Sequence, residues 1–135
     1  MRKKCREIFY LSPKEEMVMK VLWDTEDALS ASEMAERIPN RDWPVSSAQN
    51  LLRSLEKKNA IRVAAITKLA KAYGRVFRPT LSANEYASML FGRYYQNGKK
   101  DYEAMVLALF EEMSVGKKEM LETMQKIIDT HGKGQ

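Results

Sequence analysis

Four times along this chain a serine stands three residues ahead of a glutamate or glutamine: Ser12 and Glu15, Ser30 and Glu33, Ser46 and Gln49, Ser82 and Glu85. That is the spacing of a capping box, in which two side chains satisfy the free backbone N–H groups where a helix begins. A chain punctuated in this way is expected to fold as several short helices, each started separately. The first runs from Ser12, with Pro13 at its first position and Met17, Val21 and Leu22 on its apolar face, to about Trp23 or Asp24. Thr25 to Leu29 is a short connector. A second helix follows Ser30, carries Met34, Ala35 and Ile38, and ends near Pro39; Asn40 to Pro44 then makes a turn.

The third helix, Val45 to Lys58, divides most sharply into two faces. Ala48, Leu51, Leu52 and Leu55 form one apolar stripe at 100° per residue, and Ser46, Asn50, Arg53 and Lys57 point away from it. A helix built this way docks with one face and offers hydrogen-bonding groups and cations with the other. Its N-terminus, begun by Ser46 and Gln49 just after Pro44, could receive a phosphate. At its other end Asn59 tolerates the left-handed conformation that stops a helix.

Past Asn59 the pattern changes period. Ile61 to Ile66 is rich in β-branched residues, and Val76 to Pro79 can return beside it after a basic loop from Thr67 to Arg75. Three helices and a hairpin with a cationic tip make a winged helix-turn-helix, whose third helix enters the major groove of DNA while the hairpin lies along the flanking backbone. From Lys57 to Asn84 there are seven cations and no acid, as a surface facing phosphate requires. The charge is uneven overall: residues 1 to 81 hold 16 Lys and Arg against 10 Asp and Glu, and residues 82 to 135 hold 7 against 8.

Ser82 and Glu85 open a further helix with Tyr86, Met89, Leu90 and Tyr94 on its face, ending at the Asn97 and Gly98 turn; Asn97 to Lys100 reads as a linker. Tyr102, Met105, Val106, Leu109, Phe110 and Met113 then recur at helical spacing, and after Gly116 so do Met120, Leu121, Met124, Ile127 and Ile128. Such short one-sided helices must bury their stripes against something. The expectation is a second copy of the chain, with dimerisation through Tyr102, Met105, Leu109, Met120, Met124, Ile127 and Ile128; folding back onto the same chain is the alternative. The fold class expected is thus mainly α with a small β-hairpin. Residues 1–81 form a winged helix-turn-helix DNA-binding domain, and residues 82–135 a helical dimerisation region.

Composition narrows the remaining options. A chain of 135 residues is sized for one domain with an added helical segment, and no apolar stretch approaches the length of a membrane span. The basic start MRKKCREIFY lacks the apolar segment and cleavage site of a secretory signal, which makes the cytoplasm the default expectation. The single cysteine, Cys5, has no disulfide partner and no clustered ligands for a metal, so neither metal nor cofactor is expected. Its basic neighbours could make it reactive, although an ordinary reduced thiol explains it. The sole histidine, His131, sits in a glycine-flanked tail with no acid and nucleophile to orient, which argues against an enzyme. Trp23 and Trp43 are expected in the core rather than against bases.

Four blocks in order give a family resemblance over essentially the whole chain: LSPKEEMVMKVLW (Leu11 to Trp23), SASEMAERI (Ser30 to Ile38), WPVSSAQNLLRSLEKKNAI (Trp43 to Ile61) and RVFRPTLSANEY (Arg75 to Tyr86). Together they resemble the penicillinase-repressor family of bacterial transcription factors. The resemblance implies a homodimeric repressor seated on an inverted-repeat DNA operator. In the resistance-linked members it also implies a partner membrane sensor protease that cuts the C-terminal region. Their Asn-Phe cleavage pair would fall near Ala108, Leu109 and Phe110, where this chain has none, and the cysteine-rich metal motif of the copper-responsive members is missing from this sequence. The family's glycine after the Lys-Lys pair is Asn59 here, its arginine is displaced from the Ser54 position to Arg53, and the wing segment is longer by several residues.

For DNA contact the residues expected are Ser46 and Ser47 at the third helix's start, Gln49, Asn50 and Arg53 toward base edges, and Lys57, Lys68, Lys71 and Arg75 toward phosphates. The competing expectation is a winged-helix adaptor that uses the same surface to hold protein.

Overall fold

The computed structural model describes residues 8–69, 72–94 and 101–132; Cys5, Lys71 and the expected linker at Asn97 to Lys100 lie outside them. Three of the four capping boxes form. Ser12 starts α1 (Pro13–Trp23), Ser30 starts α2 (Ala31–Glu36) and Ser82 starts α4 (Ala83–Arg93), each with the serine oxygen accepting from the third-position N–H and the glutamate accepting from the serine N–H. The fourth does not form. Pro44, with ψ 157°, takes the extended cap position, and Val45–Ser47 coil as a single 3₁₀ turn leading into α3 (Ala48–Lys57). Ser46 is therefore inside the turn, where its hydroxyl cannot act as a cap, because a capping side chain needs extended backbone.

α3 closes as its sequence predicts. Lys58 is the C-cap, Asn59 is left-handed with φ 64°, and the N–H groups of Asn59 and Ala60 donate to the carbonyls of Glu56 and Leu55 at 3.0 and 2.9 Å. This double return bond satisfies the last carbonyls and turns the chain sharply into the hairpin.

The hairpin is longer than the β-branched pattern foretold. β1 (Ile61–Leu69) and β2 (Ala72–Pro79) pair antiparallel from Ile61 with Pro79 out to Leu69 with Ala72, so most of the expected basic loop is strand, with Lys68 on β1 and Arg75 on β2. Cross-strand pairing continues because no proline or acid interrupts these residues, and their propensity alone understates that. A bulge between Val63 and Ala65 resets the register. On β2's other side Leu29 exchanges two backbone bonds with Phe77, at 3.1 and 2.8 Å, which fastens the α1–α2 connector to the hairpin.

Val18, Met19, Leu22, Met34, Ala35, Ala48, Leu52, Leu55, Ile61 and Phe77 form the centre of the core beneath the three helices and the hairpin base. Trp43 is buried, and the half-buried Trp23 donates its indole N–H to the Leu81 carbonyl at 2.8 Å. The architecture is that of a winged helix-turn-helix. α4 packs with it: Tyr86 stacks on Phe9 at 5.7 Å between ring centroids, and its phenol oxygen accepts from the Leu11 N–H at 2.9 Å.

By contact the chain divides into two compact units, Met1–Tyr94 and Tyr95–Gln135, so α4, grouped by the sequence with the C-terminal helices, lies in the first. The second unit holds α5 (Tyr102–Glu112) and α6 (Lys117–His131). Asp101 caps α5, and the turn after it is made by Ser114 at φ 57° rather than by Gly116, which instead takes the extended cap position of α6. Neither helix contains a buried residue.

Candidate nucleic-acid interface

α3 is anchored by its apolar stripe. Ala48, Leu52 and Leu55 are buried and Leu51 half-buried, so the opposite face is left open. Ser46, Gln49, Asn50, Arg53 and Lys57 are all exposed there, and Ser47 is partly so. At 1.5 Å rise per residue, Asn50 to Lys57 extends about 10 Å, or roughly three base-pair steps. The stripe is ordered within itself: an Arg53 guanidinium N–H donates to the Asn50 Oδ1 at 2.7 Å. Arg53 is thus tied to its neighbour on the exposed face, and a guanidinium has further N–H donors with which to meet a partner.

A second network fixes the helix to the rest of the domain. Glu15, only 3% exposed, accepts from the Ser12 N–H and the Lys58 ammonium on one oxygen, at 2.8 and 2.6 Å, and from the Ser54 hydroxyl on the other at 2.6 Å. Lys58 also donates to the Tyr10 carbonyl at 2.7 Å. Burial pushes the Glu15 carboxyl up, but the hydrogen bonds from Lys58, the Ser12 N–H and Ser54 outweigh it and hold the group below its ordinary range. One carboxylate therefore caps α1 and clamps the C-terminal half of α3. No spacing in the sequence reports this, because Glu15 and Lys58 lie 43 residues apart.

The cation run from Lys57 onward does not act as a single surface. Lys58 is turned inward onto Glu15, Arg78 donates to the Glu26 carbonyl, and Arg75 lies 3.6 Å from Glu56 and over the Phe77 ring at 5.3 Å. Arg53 and Lys57 on α3 and Lys68 on β1 are exposed. The Arg75–Glu56 pair joins the wing to α3. Among the described residues no three His, Cys, Asp or Glu side chains come together in a way that could hold a metal ion, and no helix is long and apolar enough to cross a membrane.

An open polar helix face over an apolar anchor, flanked by a basic hairpin, defines a winged helix-turn-helix DNA-binding regulator of transcription. Within that class the chain belongs to the penicillinase repressor family, whose profile matches residues 11–130. Among solved structures it is similar to the ferric uptake regulator Fur of Helicobacter pylori, a structure described as revealing three functional metal binding sites, with 20% identity over 68% of this chain and 73% of that one and a TM-score of 0.40. So distant a likeness says nothing here about metal or ligand. No curated protein shows a significant match to the chain.

Proposed function

We propose that this protein is a homodimeric repressor that occupies an inverted-repeat operator, each subunit placing α3 in a major groove. The observation that carries this is the open stripe of Ser46, Asn50, Arg53 and Lys57, exposed along its whole length while the other side of the same helix is core. Arg53, poised on Asn50, reads a guanine edge, Gln49 and Asn50 read neighbouring bases, and Ser46 and Ser47 meet the first base edge or phosphate. Lys57, Lys68, Lys71 and Arg75 position the subunit on phosphates.

The second copy is supported by α5 and α6. Neither holds a fully buried residue: Tyr102, Leu109, Ile127 and Ile128 stand 67, 55, 47 and 58% exposed, and Met105, Met120 and Met124 are only half-buried. A twofold partner covers such a surface and sets two α3 helices about one DNA turn apart.

Selection of duplexes from a random-sequence pool tests the whole reading. The wild-type protein should enrich a site with two inverted half-sites, and Arg53→Ala should lose preference at one base pair in each, a discrimination of about 1 to 3 kcal/mol. Enrichment of no sequence would overturn DNA reading in favour of a protein-binding adaptor, and an unchanged profile for the variant would remove Arg53 from the reading set.

A further inference from the structure

α4 ends at the edge of the first compact unit, and its last turn is both weak and tied down. Tyr94, its C-cap, is the last residue of that unit. Gly92 lies in the turn before it, at a place where a Cβ would meet nothing within 4 Å. Packing therefore does not require a glycine there, and glycine weakens a helix relative to alanine.

Against that weakness stands Arg93. Its guanidinium carbon lies over the Tyr10 ring, 4.9 Å from the centroid, and over the Tyr94 ring at 5.3 Å. Both rings reach solvent, Tyr10 being 49% and Tyr94 74% exposed, and among the described residues no carboxylate pairs with Arg93. A cation in the last turn suits the helix dipole wherever it points, so the dipole does not account for the contact with Tyr10.

Tyr10 also meets α3. Its carbonyl accepts from the ammonium of Lys58, the C-cap of the reading helix, at 2.7 Å. The residues on either side of it hold α4 two turns earlier: Phe9 stacks on Tyr86, and the Leu11 N–H donates to the Tyr86 phenol oxygen. Tyr86 and Arg93 are seven residues apart and share one face of α4. Phe9 to Leu11 is thus a strap between the end of α3 and that face. Its tie at Tyr86 is buried, whereas its tie at Arg93 is exposed and can let go.

We propose that Gly92 and the Arg93–Tyr10 contact make a releasable joint that sets how strictly the repressor holds the spacing of its two half-sites. With the contact made, the end of α4 is fixed to α3 and the chain leaves the reading unit in one direction. With it broken, the last turn frays at Gly92 and that direction is free. Each base pair inserted between half-sites turns one of them by about 35° about the duplex axis, so a fixed exit accepts one spacing and a free exit several. Arg93 is a positioning residue in this scheme and touches no DNA. The inference rests on the proposed repressor function, because spacing has meaning only for a dimer on paired half-sites.

The test uses the full chain and the paired site that the wild-type protein selects from a random pool. Affinity is measured for that site, for versions with one or two base pairs inserted or removed between the half-sites, and for a duplex holding a single half-site. Wild type should bind the altered spacings about tenfold more weakly than the selected one. Arg93→Gln should bind all spacings within about threefold of one another while matching wild type on the single half-site, a split that general loss of structure would not give. Tyr10→Phe should keep the wild-type profile, because the ring makes the contact, and Tyr10→Ala should flatten it. Gly92→Ala added to Arg93→Gln should restore the sharp profile by stiffening the turn. A flat profile in wild type, or one profile shared by wild type and Arg93→Gln, would overturn the joint and leave the repressor reading standing. So would an Arg93→Gln loss on the single half-site equal to that on the pair. If wild type selects no paired site, the proposed function falls and the joint with it.

Discussion

Among the described residues, Asn59 and Ser114 carry left-handed backbone that ends a helix, and they differ in how well they suit it. Asn59 at φ 64° is a tolerated choice, whereas Ser114 at φ 57° has no such preference. Ser114→Gly is expected to raise stability by about 0.5 to 1 kcal/mol, the relieved strain exceeding the added freedom of the unfolded chain, and Asn59→Val to lower it by about 1 to 2 kcal/mol; thermal unfolding followed by circular dichroism checks both. Glu15 gives the protein an acid limit. Its carboxyl titrates below the ordinary value in the native state, so the unfolded chain binds the proton more readily. The stabilisation is then complete above the ordinary glutamate pKa of about 4.3 and disappears as pH falls through the lower native value. Unfolding midpoints of wild type and Glu15→Gln should differ at pH 7 and converge toward pH 3. Lys58→Met, which leaves that carboxylate buried without its ammonium, should cost about 2 to 3 kcal/mol near neutrality.

At the scale of elements, α3 is a reading device only while its back is held. Leu52 is 2% exposed and Leu51 half-buried, so Leu52→Ala should cost about 2 to 5 kcal/mol in denaturant unfolding, with Leu51→Ala clearly less. The capping boxes of α1, α2 and α4 are legible because the signal is local: a serine and a carboxylate three residues on decide it together. The same spacing at Ser46 and Gln49 does not make a cap, because Pro44 takes the extended position and the turn begins two residues sooner. Strand length escapes the sequence for the opposite reason. Lys68, Tyr73 and Arg75 have no strong strand preference as a group, and what draws them into the ribbon is the partner strand opposite them.

For the whole molecule, the uncovered faces of α5 and α6 lead to an oligomeric state and the basic wing to a salt response. Sedimentation equilibrium should find a dimer, and Leu109→Glu combined with Ile128→Glu should shift it to monomer without unfolding the winged unit. Those two side chains are 55 and 58% exposed in the single chain and contribute nothing buried to its core. If the dimer neutralises about six to ten phosphates, its affinity for a selected duplex should drop about a thousandfold or more between 50 and 200 mM salt. A flat response would rule out the phosphate contacts of Lys57, Lys68 and Arg75 together.

Patterns spaced three or four residues apart determined the helices, the apolar back of α3 and its polar front, because neighbours on a helix are neighbours in sequence. The family resemblance followed from four sequence blocks in order, the last of them part strand. Which cations face outward was decided only in three dimensions. Lys57 and Lys58 are adjacent in the chain, yet one is exposed and the other is bound to a carboxylate 43 residues away. The pairing of Lys68 with Tyr73 across the wing arose in the same way, from a register between strands. Charge and amphipathicity are written along the chain, but the partner that neutralises a charge or covers a side chain is set by packing between segments that the sequence keeps far apart.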